Sequence, residues 1–232
     1  MPTVIGFDTA TDDTAVAALR DGEVLYARSV EPCDGGRPAH ATSLLAELEE
    51  AAGAAGGWES VGRIAVGLGP GSFTGLRIGI ATAKALTWAL EAELAGVGTL
   101  AALARGAAPA AGQQRLAALD ARRGELFAGL YDVGGKQIWE PFVAGPGELA
   151  KRISQLPDPP LAVGSGALRF RDELQESGAE IPNDSDPSHR IAAREVCAIG
   201  ALGAASSPEA VAPIYLRPPD AERWRERDST DN

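Results

Sequence analysis

The stretch VGLGPGSFTGLRIGIATAKA, Val66 to Ala85, joins a short apolar run to a glycine-studded loop and then to a segment with helical spacing. Strand, tight turn and helix in direct succession are the pieces of an α/β fold. Gly67, Gly69, Gly71, Gly75 and Gly79 come so densely that the backbone must turn sharply, approach a ligand, or press against another backbone. Phosphate loops are the first comparison, because free amides at a helix start make an anion site. Both known fingerprints fail. A Walker loop needs Lys and then Ser or Thr after its last glycine, where this chain has Leu76 and Arg77. The dinucleotide pattern meets Ser72 or Thr74 where its third glycine belongs. The spacing instead predicts a ridge without bulky side chains: Gly71, Gly75, Gly79 and Ala83 recur every four residues on a helix over 75–91. Such a ridge admits close approach by another helix, either inside the domain or from a partner subunit. Ser72 and Thr74 read as helix N-cap residues.

Working outward, the chain has 232 residues, enough for one large domain or two smaller ones, each with a real core. A net charge of -11 argues against this chain gripping nucleic acid alone, since that affinity rests on Lys and Arg neutralising phosphates. No apolar run reaches membrane-spanning length and no basic, apolar leader opens the sequence, so a cytoplasmic location is expected. Cys33 and Cys197 are too few and too far apart for a disulfide framework. His40 and His189 are the only histidines, which leaves neither a metal site nor a base for Ser72.

TVIGFD, TAVAALR and EVLYARSV read as strands, the last two joined by an Asp21-Gly22 hairpin signal. CDGGRPAH is a loop, 40–55 a helix with Leu44, Leu45 and Leu48 on one side, and RIAVGLG a strand. A short helix follows in TLAALARGA, and APAAG marks a boundary that divides the chain into 1–107 and 108–217. The opening pattern then returns in RLAALDARRGELFAGLYDVGGKQIWEPFV, with Asp120 in the place of Asp8, which suggests a duplicated βββαβα unit. Helices at 145–155, 166–176 and 190–206 and a strand LAVG complete the second half, and 218–232 is expected to be a frayed tail.

Two such halves resemble the two-lobed actin, hexokinase and Hsp70-like (ASKHA) architecture, an α/β fold whose cleft holds ATP. That resemblance implies a nucleotide cleft, vestigial in this chain, in which Asp8, Thr9 and Asp120 face phosphate and Mg²⁺ and Gly164 and Gly166 meet adenosine. From the residues alone, Asp8 is equally a turn-forming Asp at a strand end. A small kinase or ATPase using Asp8 or Asp120 with Mg-ATP is the alternative reading of the whole chain.

A closer resemblance lies in GPGSFTGLRIG, carried by Gly69, Pro70, Gly71, Ser72, Phe73, Thr74, Gly75 and Arg77, which is similar to the signature of the TsaB (YeaZ) family. The Asp8-Thr9-Ala10-Thr11 opening, the Asp120-Ala121-Arg122 turn with Gly124 and Glu125, and APIYLR at 212–217 agree in the same order. The resemblance implies a non-catalytic subunit in the synthesis of N6-threonylcarbamoyladenosine at position 37 of tRNAs reading codons that begin with A. It further implies a heterodimer with the metal-bearing paralogue TsaD, recruitment of the ATPase TsaE, indirect dealings with the threonylcarbamoyl-AMP synthase and tRNA, and a homodimer when alone. ATP, Mg²⁺ and the catalytic metal are then expected on partner subunits, with no cofactor on this chain. The paralogue's His-x-x-x-His has no counterpart, since Gly96 to Leu103 reads GVGTLAAL. The partner interface implied is on the two helices, at Leu44, Leu45, Leu48, Gly75, Leu76, Gly79, Ile80 and Ala83.

Overall fold

A computed structural model of the chain describes residues 3–33, 38–108 and 110–217. The expected tail at 218–232 and the centre of the CDGGRPAH loop lie outside the described residues. The first half runs β1 (Thr3–Asp8), β2 (Thr14–Arg20), β3 (Glu23–Val30), α1 (His40–Ala54), β4 (Val61–Gly67), α2 (Phe73–Leu90), β5 (Glu93–Val97) and α3 (Thr99–Gly106). The second runs β6 (Arg115–Arg122), β7 (Glu125–Tyr131), β8 (Gln137–Ala144), α4 (Pro146–Ile153), β9 (Leu161–Val163), α5 (Ser165–Arg169), α6 (Arg171–Glu176) and α7 (Ala193–Leu202).

The strands form two sheets, in the orders β3-β2-β1-β4-β5 and β8-β7-β6-β9. β1 pairs antiparallel with β2 and parallel with β4, and β6 repeats this with β7 and β9, so the duplication seen in the sequence is a duplication of topology. Asp21 and Gly22 both have positive φ, as a tight two-residue hairpin between right-twisted strands requires. All six residues of β1 are buried, because helices cover the first sheet on both faces. Ile5 and Phe7 point into the core under α1 and α2, whereas Val4 joins the core shared by the two sheets. β6 alternates in the same way: Ala117 and Leu119 face that shared core, and Leu116 and Ala118 face α4 to α6.

One core is shared by residues from both sides of the boundary read near 108–112. α7, from the second half, lies on β1, β2 and β4, where a Cβ added to Gly6 would stand 2.6 Å from Cys197 Sγ. α3, from the first half, lies on β6 and β7. Each half therefore lends a helix to the layer between the sheets. Four local differences from the sequence reading also appear. The helix read over 75–91 starts at Phe73, the segment after Glu91 forms the edge strand β5, the helix read at 166–176 breaks at Phe170, and that read at 190–206 shortens to α7 after a 3-10 turn at Pro187–His189.

Candidate functional site

The glycine motif is a knot that ties the end of β1 to the start of α2. Asp8 accepts from Ala10 N at 2.7 Å through Oδ1 and from Thr99 Oγ1 at 2.7 Å through Oδ2. Thr99 Oγ1 in turn accepts from Gly69 N at 3.0 Å, and Thr99 N donates to Gly69 O at 2.9 Å. Thr9 Oγ1 donates to Gly75 O at 2.8 Å, and Ser72 N donates to Ala10 O at 2.7 Å. Ser72 caps α2, its hydroxyl accepting from Gly75 N at 3.3 Å, while Thr74 lies inside the helix with its side chain exposed. Side chains are absent where this knot leaves no room: a Cβ at Gly67 would overlap the Asp8 carboxylate, and one at Gly75 would overlap the Thr9 carbonyl oxygen. Burial pushes the Asp8 carboxyl above its ordinary value, opposed by its bonds from Ala10 and Thr99.

Between the lobes lies a cleft of about 1100 Å³. Of the five residues expected to hold a nucleotide, it brings only Asp120 to the wall. Asp8 and Thr9 are each 1% exposed, and their polar atoms serve the knot. Gly164 and Gly166 let the start of α5 press on β6, where a Cβ at Gly166 would lie 2.8 Å from Leu119 C. Asp120 itself accepts from Arg169 Nη1 at 2.7 Å and from Arg122 N at 2.8 Å. Ion pairs cross the cleft: Arg122 holds Asp12 at 2.9 Å, and Arg190 reaches both Glu31 and, at 3.9 Å, Asp13. Asp12, Asp13, Glu31, Asp120, Asp184 and Asp186 line it together with Arg122, Arg190 and Arg217.

At the cleft mouth two distant motifs meet, a convergence that sequence spacing could not reveal. Phe73 stacks on Tyr215 with centroids 5.1 Å apart, and Arg77 sits 3.8 Å over the Phe73 ring while its Nε donates to Tyr215 Oη at 3.3 Å. Ile214 N donates to Leu68 O at 2.7 Å, and Arg217 bonds Glu125 and the Ala121 carbonyl, so residues 214–217 strap one lobe to the other. The strap joins the signature loop to the Asp120 turn. Comparison with known proteins agrees. The chain is 32% identical to the tRNA threonylcarbamoyladenosine biosynthesis protein TsaB of Escherichia coli over 222 residues, covering 92% of this chain and 94% of that protein. The chain belongs to the TsaB family.

The crystal structure of YeaZ from Pseudomonas aeruginosa superimposes with a TM-score of 0.77 at 25% identity, over 93% of this chain and all of that one. A ROK hexokinase from Thermus thermophilus superimposes at 0.50 with 14% identity, over 86% of this chain and 99% of that one, which gives the ASKHA fold alone. The family model for TsaD, tRNA N6-adenosine threonylcarbamoyltransferase, matches residues 35–156. TsaB membership rests on the correspondence that runs the length of both chains.

In this TsaB-family chain the small-residue ridge faces inward. Gly75 and Gly79 pack on Thr9, and Leu44, Leu48, Leu76, Ile80 and Ala83 are buried in the chain's own core. These seven have no surface to give a partner, so the interface assigned to them from sequence is corrected. Leu45 is the exception at 65% exposed. The outer face of the same two helices carries Ala81, Ala85, Ala89 and Trp88, the last 86% exposed. The two histidines are both buried. His40 Nδ1 meets Thr14 Oγ1 at 2.8 Å, and His189 Nδ1 accepts from Gly164 N at 3.1 Å.

Proposed function

We propose that this chain is the non-catalytic subunit of the tRNA threonylcarbamoyladenosine machinery, and that it acts by docking the outer face of α1 and α2 on the metal-bearing transferase TsaD. The observation that carries the reading is Trp88, a large apolar side chain standing in solvent on α2 among the exposed Ala81, Ala85 and Ala89, with Leu45 exposed on α1. Large apolar side chains left in solvent on one helix pair favour an interaction surface. TsaD is the partner of fitting shape, because its family model takes in residues 35–156, and α1 and α2 fall inside that segment. Two chains alike in that segment can pair like face to like face, and a second copy of this chain takes the place of TsaD when it is alone. TsaE then joins the assembled pair, the threonylcarbamoyl-AMP synthase connects with it only indirectly, and ATP, Mg²⁺ and the catalytic metal sit on the partner subunits.

Support for the non-catalytic part is the state of the acids and bases. Asp8 is held by Ala10 N and Thr99 Oγ1, Asp120 is paired to Arg169, and both histidines are buried, each bonded through Nδ1 within the chain. The two carboxylates that the kinase reading names for its magnesium, Asp8 and Asp120, are thus both engaged within the chain. The test is co-purification and reconstitution with TsaD, TsaE, the synthase and unmodified tRNA. Wild-type chain should co-elute with TsaD and support modification, and Trp88→Asp should fold with an unchanged melting temperature yet lose both. Retention of both by Trp88→Asp would remove this face from the mechanism.

A further inference from the structure

The described part of the chain ends on the wall of the large cleft. Ile214, Tyr215, Leu216 and Arg217 all line that cleft, and Arg217 is anchored there by Glu125 and the Ala121 carbonyl. The sequence then continues as PPDAERWRERDSTDN, where Arg223, Trp224, Arg225 and Arg227 make a short basic and aromatic run. Trp224 lies seven positions beyond Arg217, a span of up to about 24 Å. That is enough to bring it back into a cleft of about 1100 Å³.

The cleft presents two kinds of side chain. Its lining on the second lobe includes apolar Leu119, Phe127 and Leu168, with Leu216 of the strap. On the first lobe Asp12, Asp13 and Glu31 share two arginines that reach across. Arg122 holds Asp12 at 2.9 Å and Arg190 holds Glu31, which leaves Asp13 with Arg190 Nε at 3.9 Å. Burial raises the Asp13 carboxyl above its ordinary value; Arg190 opposes this, and Glu31 and Asp12 add to it. Three carboxylates therefore meet two guanidiniums. Asp186, also on the wall, accepts from Ser188 N at 2.8 Å and has no ion pair among the described residues. After its internal pairs are made, the cleft keeps uncompensated negative charge as well as apolar surface.

We propose that residues 223–227 of the same chain occupy this cleft, with Trp224 on the apolar side chains of the second lobe and Arg223 and Arg225 on the acids of the first. An extended segment sends successive side chains to opposite sides, so one short run can serve both walls. Guanidinium and carboxylate make charge-assisted hydrogen bonds, and a Trp side chain brings about 150–250 Å² to be covered. The segment is then a ligand built into the chain, and any other occupant of the cleft must displace it. The proposal is independent of the α1–α2 face.

The test uses the full chain labelled with fluorotryptophan, and Trp224→Phe identifies the Trp224 signal in the ¹⁹F spectrum by its loss. Transfer into deuterated water shifts the signal of an exposed fluorotryptophan and spares a buried one. The expected result is a Trp224 signal that has lost this isotope shift and stays so on dilution. Leu168→Glu on the cleft wall, and Arg223→Glu combined with Arg225→Glu in the segment, should each restore the full shift. Should Leu168→Glu not fold, Asp13→Lys takes its place. A full isotope shift in the unmutated chain overturns the proposal, as does a protected signal that ignores either change. Protection that disappears on dilution puts the segment in the cleft of a second copy and overturns its assignment to the same chain.

Discussion

Thr99 serves three partners with one hydroxyl and one amide. It donates to Asp8, accepts from Gly69 N, and sends its own amide to Gly69 O. Thr99→Val keeps the shape and leaves the Asp8 carboxylate and the Gly69 amide each short of a partner, a loss of about 1–3 kcal/mol at neutral pH. The penalty should depend on pH in a defined direction. Burial already holds the Asp8 pKa above its ordinary value, and the Thr99 bond is one of the two that pull it down. An acid with a raised folded pKa gives stability that is whole below the unfolded pKa and is lost as pH rises through the folded one. Removing Thr99 Oγ1 raises the folded pKa again, so the variant's deficit should shrink as pH falls from about 7.5 to about 4. Urea midpoints of both proteins across that range check this, and a deficit that does not vary with pH would count against a charged Asp8 at the centre of the knot.

Among the elements, α2 inverts the usual effect of glycine in a helix. Gly→Ala in a helix interior ordinarily stabilises by about 0.5–1 kcal/mol. At Gly53 in α1 nothing lies within reach of a new Cβ, so Gly53→Ala should raise the urea midpoint by that order. At Gly75 the new methyl meets the Thr9 carbonyl, which is backbone and cannot step aside, so Gly75→Ala should destabilise by about 1–3 kcal/mol. Equal effects at the two positions would show that α2 is not pressed on β1. The same contrast explains what the sequence could tell. The period of four announced a slim helix face, and the caps, hairpins and repeated Asp-ended strands announced the doubled sheet. Which neighbour fills the slim face is set by Thr9, 66 residues away, and no local spacing encodes it. β5 escaped for a different reason: Glu93–Val97 is five residues long with no turn residues before it, and its strand character comes from parallel pairing with β4. For the site, the motif residues were legible as a group but not their direction. Asp8 looked like a phosphate-facing acid because its partner, Thr99, lies 91 residues downstream.

For the molecule as a whole, the exchange of α3 and α7 decides how the lobes behave. A kinase of this architecture needs lobes that move apart around a nucleotide, and here Leu100, Leu103, Val196 and Cys197 belong to one core with Val4 of the first sheet and Leu119 of the second. The ion pairs that cross the cleft are half-exposed and worth at most about 1 kcal/mol each. The shared core, not these pairs, therefore sets the coupling. Chains beyond about 150 residues often unfold in stages. This one should not. Trp58 packs on the core under α1 and α2, and Trp139 packs on the core under α4 to α6, so each reports a different lobe. In two variants, one keeping only Trp58 and one keeping only Trp139 with the remaining tryptophans changed to Phe, the separation between fluorescence and circular-dichroism midpoints in urea should be zero within error. Coincidence in both proteins means that the lobes unfold together through the exchanged helices. A Trp139 transition that precedes loss of the first sheet would instead mean that α3 leaves β6 and β7 without unravelling the rest, and the lobes would then be free to open as in an enzyme of this fold.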